Sequence, residues 1–192
     1  MPDIDIDCKN RDNILEYFYH KKASIIKDNK ISKHNTGVYF HDVPIDPLTN
    51  LCSIDYKEAS NRGYFKIDLL NINVYNEIES EEHLNKLLNK TPLWEMLEEW
   101  EIVQNLFQIN SPVTFNIIKK NPPKNINELA ILIALIRPPM KHLVGKSYEE
   151  IEKHIWNIDE EQKRKGAFRK SHAYAYAHVV LIQMNLILEK LG

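Results

Sequence analysis

Carboxylates recur at every second position at the start of this chain, Pro2-Asp3-Ile4-Asp5-Ile6-Asp7. On a strand, residues i and i+2 share a face and lie about 7 Å apart. Asp3, Asp5 and Asp7 therefore line one face, and Ile4 and Ile6 the other. Gathering carboxylates is costly, because each raises the pKa of the others. A divalent cation reverses that cost. Mg²⁺ takes carboxylate and phosphate oxygens and keeps some of its waters. Two such ions can hold an attacking hydroxyl and a leaving phosphate oxygen in line. The pattern alone also fits a solvated acidic tail. Two further groups suit phosphate. Lys66 and Asp68 share a face of a second alternating stretch, residues 64–70, although a lone lysine there is more often a surface residue. Arg169-Lys170-Ser171-His172 is a basic segment entering a helix, where unpaired N–H groups and the helix dipole favour an anion. A capped core helix with a basic first turn fits the same residues.

The elements that must position these groups divide between the two halves of the chain. Periodicity predicts a helix over residues 11–22, a polar connection over 27–33, short strands over 37–41 and 51–55, and a turn at Asn61-Arg62-Gly63. The second half reads as mainly helical. Helices are expected over 81–88, from Thr91-Pro92 onward, from a cap at Asn127 to residue 136, after a Ser147/Glu150 capping box, and over 171–191. Residues 106–109 read as a short strand. Residues 77–101 are acid-rich, whereas Lys163, Arg164, Lys165, Arg169 and Lys170 form a basic cluster, which is expected to face any nucleic acid.

Composition bounds the function. Hydrophobic residues make up 43% of the 192 and charged residues 27%, enough for a core and unlike a disordered chain. A net charge of −2 weighs against a strong free-standing nucleic-acid binder, but leaves room for a local basic patch. Cys8 and Cys52 lack metal-type spacing, and a disulfide between them stays open. The polar, acidic N-terminus does not read as a signal peptide, and the longest apolar run, residues 129–136, is too short to cross a bilayer. A cytoplasmic protein is expected, with no membrane partner.

Several motifs resemble the α subunit of bacterial DNA polymerase III, the C-family replicative polymerase. Pro2-Asp3-Ile4-Asp5-Ile6-Asp7 resembles its paired metal-binding aspartates, and Gly63-Tyr64-Phe65-Lys66-Ile67-Asp68 the strand bearing the third. The resemblance implies Asp3, Asp5 and Asp68 as catalytic metal ligands, with Asp7 in support and Lys66 near the nucleotide phosphates. His34-Asn35-Thr36-Gly37-Val38 resembles the family's His-Ala-Ala-Gly-Val strand, and Leu106-Phe107-Gln108 its Val-Phe-Gln stretch. Ala134-Leu135-Ile136-Arg137-Pro138-Pro139 resembles Ala-Leu-x-Arg-Pro-Gly, with Pro139 in place of glycine, and implies that Arg137 contacts phosphate; a surface arginine ending a helix is the alternative. Residues 168–177 resemble Phe-Asn-Lys-Ser-His-Ala-x-Ala-Tyr-Ala, and imply Lys170, Ser171 and His172 as nucleotide or phosphate contacts.

The implied fold is α+β: a polymerase-β-like nucleotidyltransferase palm with a small mixed sheet over residues 1–75, and a helical remainder with reduced fingers over 76–192, packed as one unit. The implied cofactor is a pair of Mg²⁺ ions, replaceable by Mn²⁺. The implied partners are a DNA primer-template and dNTP. Departures are equally plain. The PHP domain, the Gly-Ser loop, the thumb, most of the fingers, and the β-clamp-binding and OB segments have no counterpart. Such reduction suits a phage genome, and then the host cytoplasm. Three readings follow: a DNA-directed DNA polymerase-like enzyme, a catalytically inactive palm-like module binding DNA or a replication protein, and an obligate subunit of a second polymerase polypeptide.

Overall fold

The computed structural model describes residues 4–192. The chain folds as two compact units, one up to Glu77 and one from Ile78 onward. No described helix is long and apolar enough to cross a membrane.

The first unit is a mixed five-stranded sheet. Strands β1 (Ile4–Cys8), β2 (Lys21–Lys27), β3 (Lys30–Tyr39), β4 (Leu51–Asp55) and β5 (Ile67–Asn71) lie in the order β1-β5-β3-β2-β4. β1 and β5 are parallel, as are β2 and β4, while β3 runs antiparallel to both β5 and β2. Val38 and Tyr39 are consecutive on β3 and point to opposite faces. Val38 packs with Cys8, Leu15 and Leu69, and Tyr39 with Ala23, Val43, Cys52 and Ala59. Cys8 and Cys52 thus belong to separate clusters. Both are free on opposite faces of the sheet, which argues against the disulfide, and burial pushes both thiols upward in pKa.

Helix α1 (Arg11–Glu16) is capped by Asn10, whose side chain accepts from the Asp12 and Asn13 N–H groups. It is shorter than the expected 11–22, because Lys21 and Lys22 open β2. One and a half turns hold weakly alone, whereas Ala23 and Ser24 are fully buried by pairing in the sheet. The expected polar connection over 27–33 is instead a tight hairpin. Asp28 and Asn29 both take positive φ, 47° and 59°, the geometry of a two-residue turn whose twist matches its strands. Asp55 caps α2 (Tyr56–Asn61). β5 then starts at Ile67, three residues later than the alternation suggests.

The second unit is helical: α3 (Glu81–Asn89), α4 (Trp100–Val103), α5 (Pro112–Lys120), α6 (Ile126–Leu135), α7 (Tyr148–Ile155), α8 (Glu160–Arg164) and α9 (Lys170–Leu191). α6 is its axis, with every side chain from Leu129 to Leu135 buried. α9 packs against α6 and α3. Asn185, buried on α9, donates to the carbonyls of Leu87 and Lys90 at the end of α3, both at 2.8 Å.

Three local expectations are corrected here. Thr91-Pro92 starts no helix, and a short 3-10 turn follows from Trp94 with no side-chain cap. α6 is capped by Asn125, while Asn127 accepts from the Tyr174 hydroxyl. Residues 106–109 form a turn, with Gln108 at φ 66°. Buried Leu106 and Ile109 are anchored in the helical core, so their apolarity serves packing and not a strand. The Ser147/Glu150 capping box forms as expected.

Candidate functional site

Parallel pairing sets Asp5 opposite Asp68. Directly paired residues on adjacent strands face the same side, with backbones about 4.8 Å apart. Two carboxylates are therefore neighbours on one face, across 63 positions of sequence (68 − 5). Asp5 is exposed, and Asp68 is only 8% exposed. Asp3 lies outside the described residues. Asp7 is opposite Leu70, and Tyr75 donates to its carboxylate at 3.4 Å. Burial and the Asp7 charge push the Tyr75 phenol up to about 12.

Burying a carboxylate requires donors and a counter-charge, and Asp68 has both. Thr36 Oγ1 donates to Oδ1 at 2.7 Å, and Lys66 Nζ forms an ion pair with Oδ2. His34 Nδ1 lies 3.6 Å from Oδ1. That nitrogen accepts from the backbone N–H groups of Gly37 (3.0 Å) and Thr36 (3.4 Å). Nδ1 thus serves as an acceptor for the backbone. His34 braces the irregular stretch of β3, Lys66 offsets the charge of Asp68 and Thr36 orients it. Gly37 is required by space: a Cβ there would meet Lys66 Cδ at 2.7 Å, His34 Nδ1 at 3.0 Å and Ala23 Cβ at 3.1 Å.

Two further side chains complete this corner. Tyr56 meets the His34 ring edge-on, 4.9 Å between centroids, and lies 5.8 Å from Lys66 Nζ. Buried Arg11 donates to the Asn35 carbonyl, and its own N–H donates to Asn71 Oδ1 at 2.7 Å. Sequence reasoning gave Thr36, Tyr56 and Arg11 no role. Thr36 had a signal: a hydroxyl stands where the resembling motif has alanine.

The remaining predicted residues gather in the helical unit. Arg137 lies flat on Phe168, its Cζ 3.6 Å from the ring centroid, and donates through Nη2 to Gln108. Its Nε is buried with no partner among the described residues, and desolvation lowers its pKa. Phe168 also packs on Tyr176, which meets Phe107 edge-on at 5.2 Å. Three segments separated in sequence therefore meet around one guanidinium. Lys170 Nζ lies 5.7 Å from both the Trp156 and Tyr174 rings. Ser171 is exposed, and the His172 ring is 6.2 Å from that of Phe168. Arg169, at the N-cap of α9, supplies no side-chain cap. The basic cluster is partly neutralised within its own helix, where Lys163 pairs with Glu160 and Lys165 with Glu161.

The donors at Asp5 and Asp68 are hard oxygens that suit Mg²⁺. Among the described residues no group of three or more His, Cys, Asp or Glu is arranged to hold a metal ion. A third carboxylate would have to come from Asp3.

The family model for the bacterial DNA polymerase III alpha subunit finger domain matches residues 51–163, more than half of the chain. The match takes in Lys66, Asp68 and Arg137, and ends before Lys170. A comparison with curated proteins gave no match.

Proposed function

We propose a function from this premise: the chain belongs to the family of the bacterial DNA polymerase III alpha subunit finger domain. Its reading is a DNA-directed DNA polymerase-like nucleotidyltransferase, adding a dNMP to a primer 3′-hydroxyl. The observation that carries it is the in-register placement of Asp5 beside Asp68, with Lys66 against Asp68. In this reading the sheet is a polymerase-β-like palm. Asp3, Asp5 and Asp68 would hold Mg²⁺, which would supply charge stabilisation and lower the pKa of an attacking hydroxyl.

The chain's own residues have separate tasks. Asp68 is set nearest the primer hydroxyl. Thr36 fixes its carboxylate plane through one hydrogen bond. Lys66 balances its charge and would be the cation nearest a bound triphosphate. Arg137, Lys170, Ser171 and His172 are assigned to phosphates of nucleotide, primer or template. Primer extension with Mg²⁺ or Mn²⁺ tests the reading. Incorporation that disappears with Asp5→Asn and Asp68→Asn is expected. No incorporation on any primer-template would sink it.

A second reading has its own support. Arg137 is stacked on Phe168 and hydrogen-bonded to Gln108, as a packing residue would be. A catalytically inactive module that binds DNA or a replication protein fits that arrangement. Binding retained in a combined Asp3→Asn, Asp5→Asn and Asp68→Asn variant, with no nucleotide transfer by the parent protein, would favour it.

A further inference from the structure

The hairpin of β2 and β3 concentrates positive charge in an otherwise slightly acidic chain. Residues 21–33 carry five lysines (Lys21, Lys22, Lys27, Lys30 and Lys33) against one acid, Asp28. The basic cluster near α8 is partly offset by Glu160 and Glu161, but Lys27, Lys30 and Lys33 are all exposed and make no ion pair among the described residues. Lys27 and Lys30 are register partners at the tip. Like charges placed directly opposite each other destabilise a strand pair. Asp28, in the turn between them, is the one acid of the hairpin and forms no ion pair with either among the described residues.

The shape suits a polyanion. β4 pairs with β2 only at Lys22 and Ser24, and β5 pairs with β3 only at Gly37 and Val38. Beyond the tie from the Ile26 N–H to Asp55 Oδ2, at 3.0 Å, no third strand among the described residues flanks the ribbon. A two-stranded ribbon is narrow enough for a major groove about 12 Å wide. The same β3 strand carries Thr36, which donates to Asp68. Lys30 is seven residues from the Gly37/Asp68 pairing, across the register irregularity of β3.

We propose that the β2–β3 hairpin is a duplex-gripping arm, with Lys27, Lys30 and Lys33 contacting the phosphate backbone of the primer-template whose end lies at Asp5 and Asp68. The inference rests on the proposed DNA-directed function and names the surface that would hold the duplex. It lies outside residues 51–163.

The test is fluorescence anisotropy of a labelled primer-template duplex against the full chain, across a KCl series without divalent metal. Each lysine-phosphate contact adds about 0.9 to the slope of log K against log salt. The combined Lys27→Gln, Lys30→Gln and Lys33→Gln variant is expected to bind more weakly, with a slope shallower by about 2.7. The corresponding triple arginine variant should keep the parent slope. Circular dichroism shows whether each variant is folded. An unchanged slope in a folded glutamine variant overturns the proposal, as does loss of binding to single strands but not duplex. A glutamine variant that aggregates while the arginine variant binds duplex with a reduced slope also overturns it, pointing to edge protection. Failure of the parent chain to bind duplex overturns the arm but leaves catalysis to be decided by primer extension.

Discussion

The carboxylate corner of the sheet and the arginine cluster of the helical unit hold their charges in opposite ways. Asp68 is buried against polar partners, the Thr36 hydroxyl and the Lys66 ammonium, in register with Asp5. Arg137 is half-buried against an aromatic face, and its Nη2 bond goes to a glutamine held at positive φ. The first arrangement is made of polar contacts between side chains of β3, β5 and the residue just before β5. In the second, the guanidinium is part of the packing, so moving it disturbs three segments. A residue predicted from a motif to contact substrate can therefore serve the fold first.

The strongest test of that contrast is at Asp68. Asp68→Asn keeps the shape and the Thr36 hydrogen bond but removes the charge. Metal-dependent primer extension should fall by at least about a hundredfold, with the fold retained. Near-normal extension would remove Asp68 from the chemistry.

Arg137→Ala probes the other cluster. It removes a desolvated cation–π contact and leaves Gln108 without its partner, so the helical unit should lose about 2–3 kcal/mol in urea unfolding. Arg137→Lys should recover little of this, because an ammonium lacks the flat stacking face. Full stability in both variants would make Arg137 a surface residue after all.

Gly37→Ala should cost the sheet unit about 1–2 kcal/mol, since the added methyl must push Lys66 or His34 aside. Its sharper signature is activity: a displaced Lys66 leaves Asp68 unbalanced, so extension should suffer more than stability. Equal losses in both would reduce Gly37 to a packing position.

The smallest effect is expected at Glu189, which joins α9 to His83 and Lys86 on α3. Hydrogen bonds from Lys86 and His83 hold its carboxyl down to about 2. Because the folded pKa lies below the unfolded one, this contribution is full above the ordinary glutamate value of 4.5 and fades as pH falls toward about 2. The stability gap between the parent and Glu189→Gln should therefore narrow over that range. A gap independent of pH would assign Glu189 to packing alone.

Much of the carboxylate corner was legible in the sequence. The alternation around Asp5 and around Asp68 placed each on a strand face, because the side-chain period of a strand is two. Ser147 announced its helix because a capping box is local chemistry. Asp28-Asn29 was read as linker, although both residue types tolerate the left-handed conformation that a two-residue hairpin needs. The sequence alone determined which carboxylates share a strand face, since that depends on side-chain type and short-range period. Only the tertiary structure decided that Asp5 stands beside Asp68, that Thr36 orients it and Lys66 offsets its charge, and that Arg137 is stacked on Phe168. Strand register and burial are set by contacts between distant segments, and no local pattern encodes which of two possible partners a charged side chain will meet.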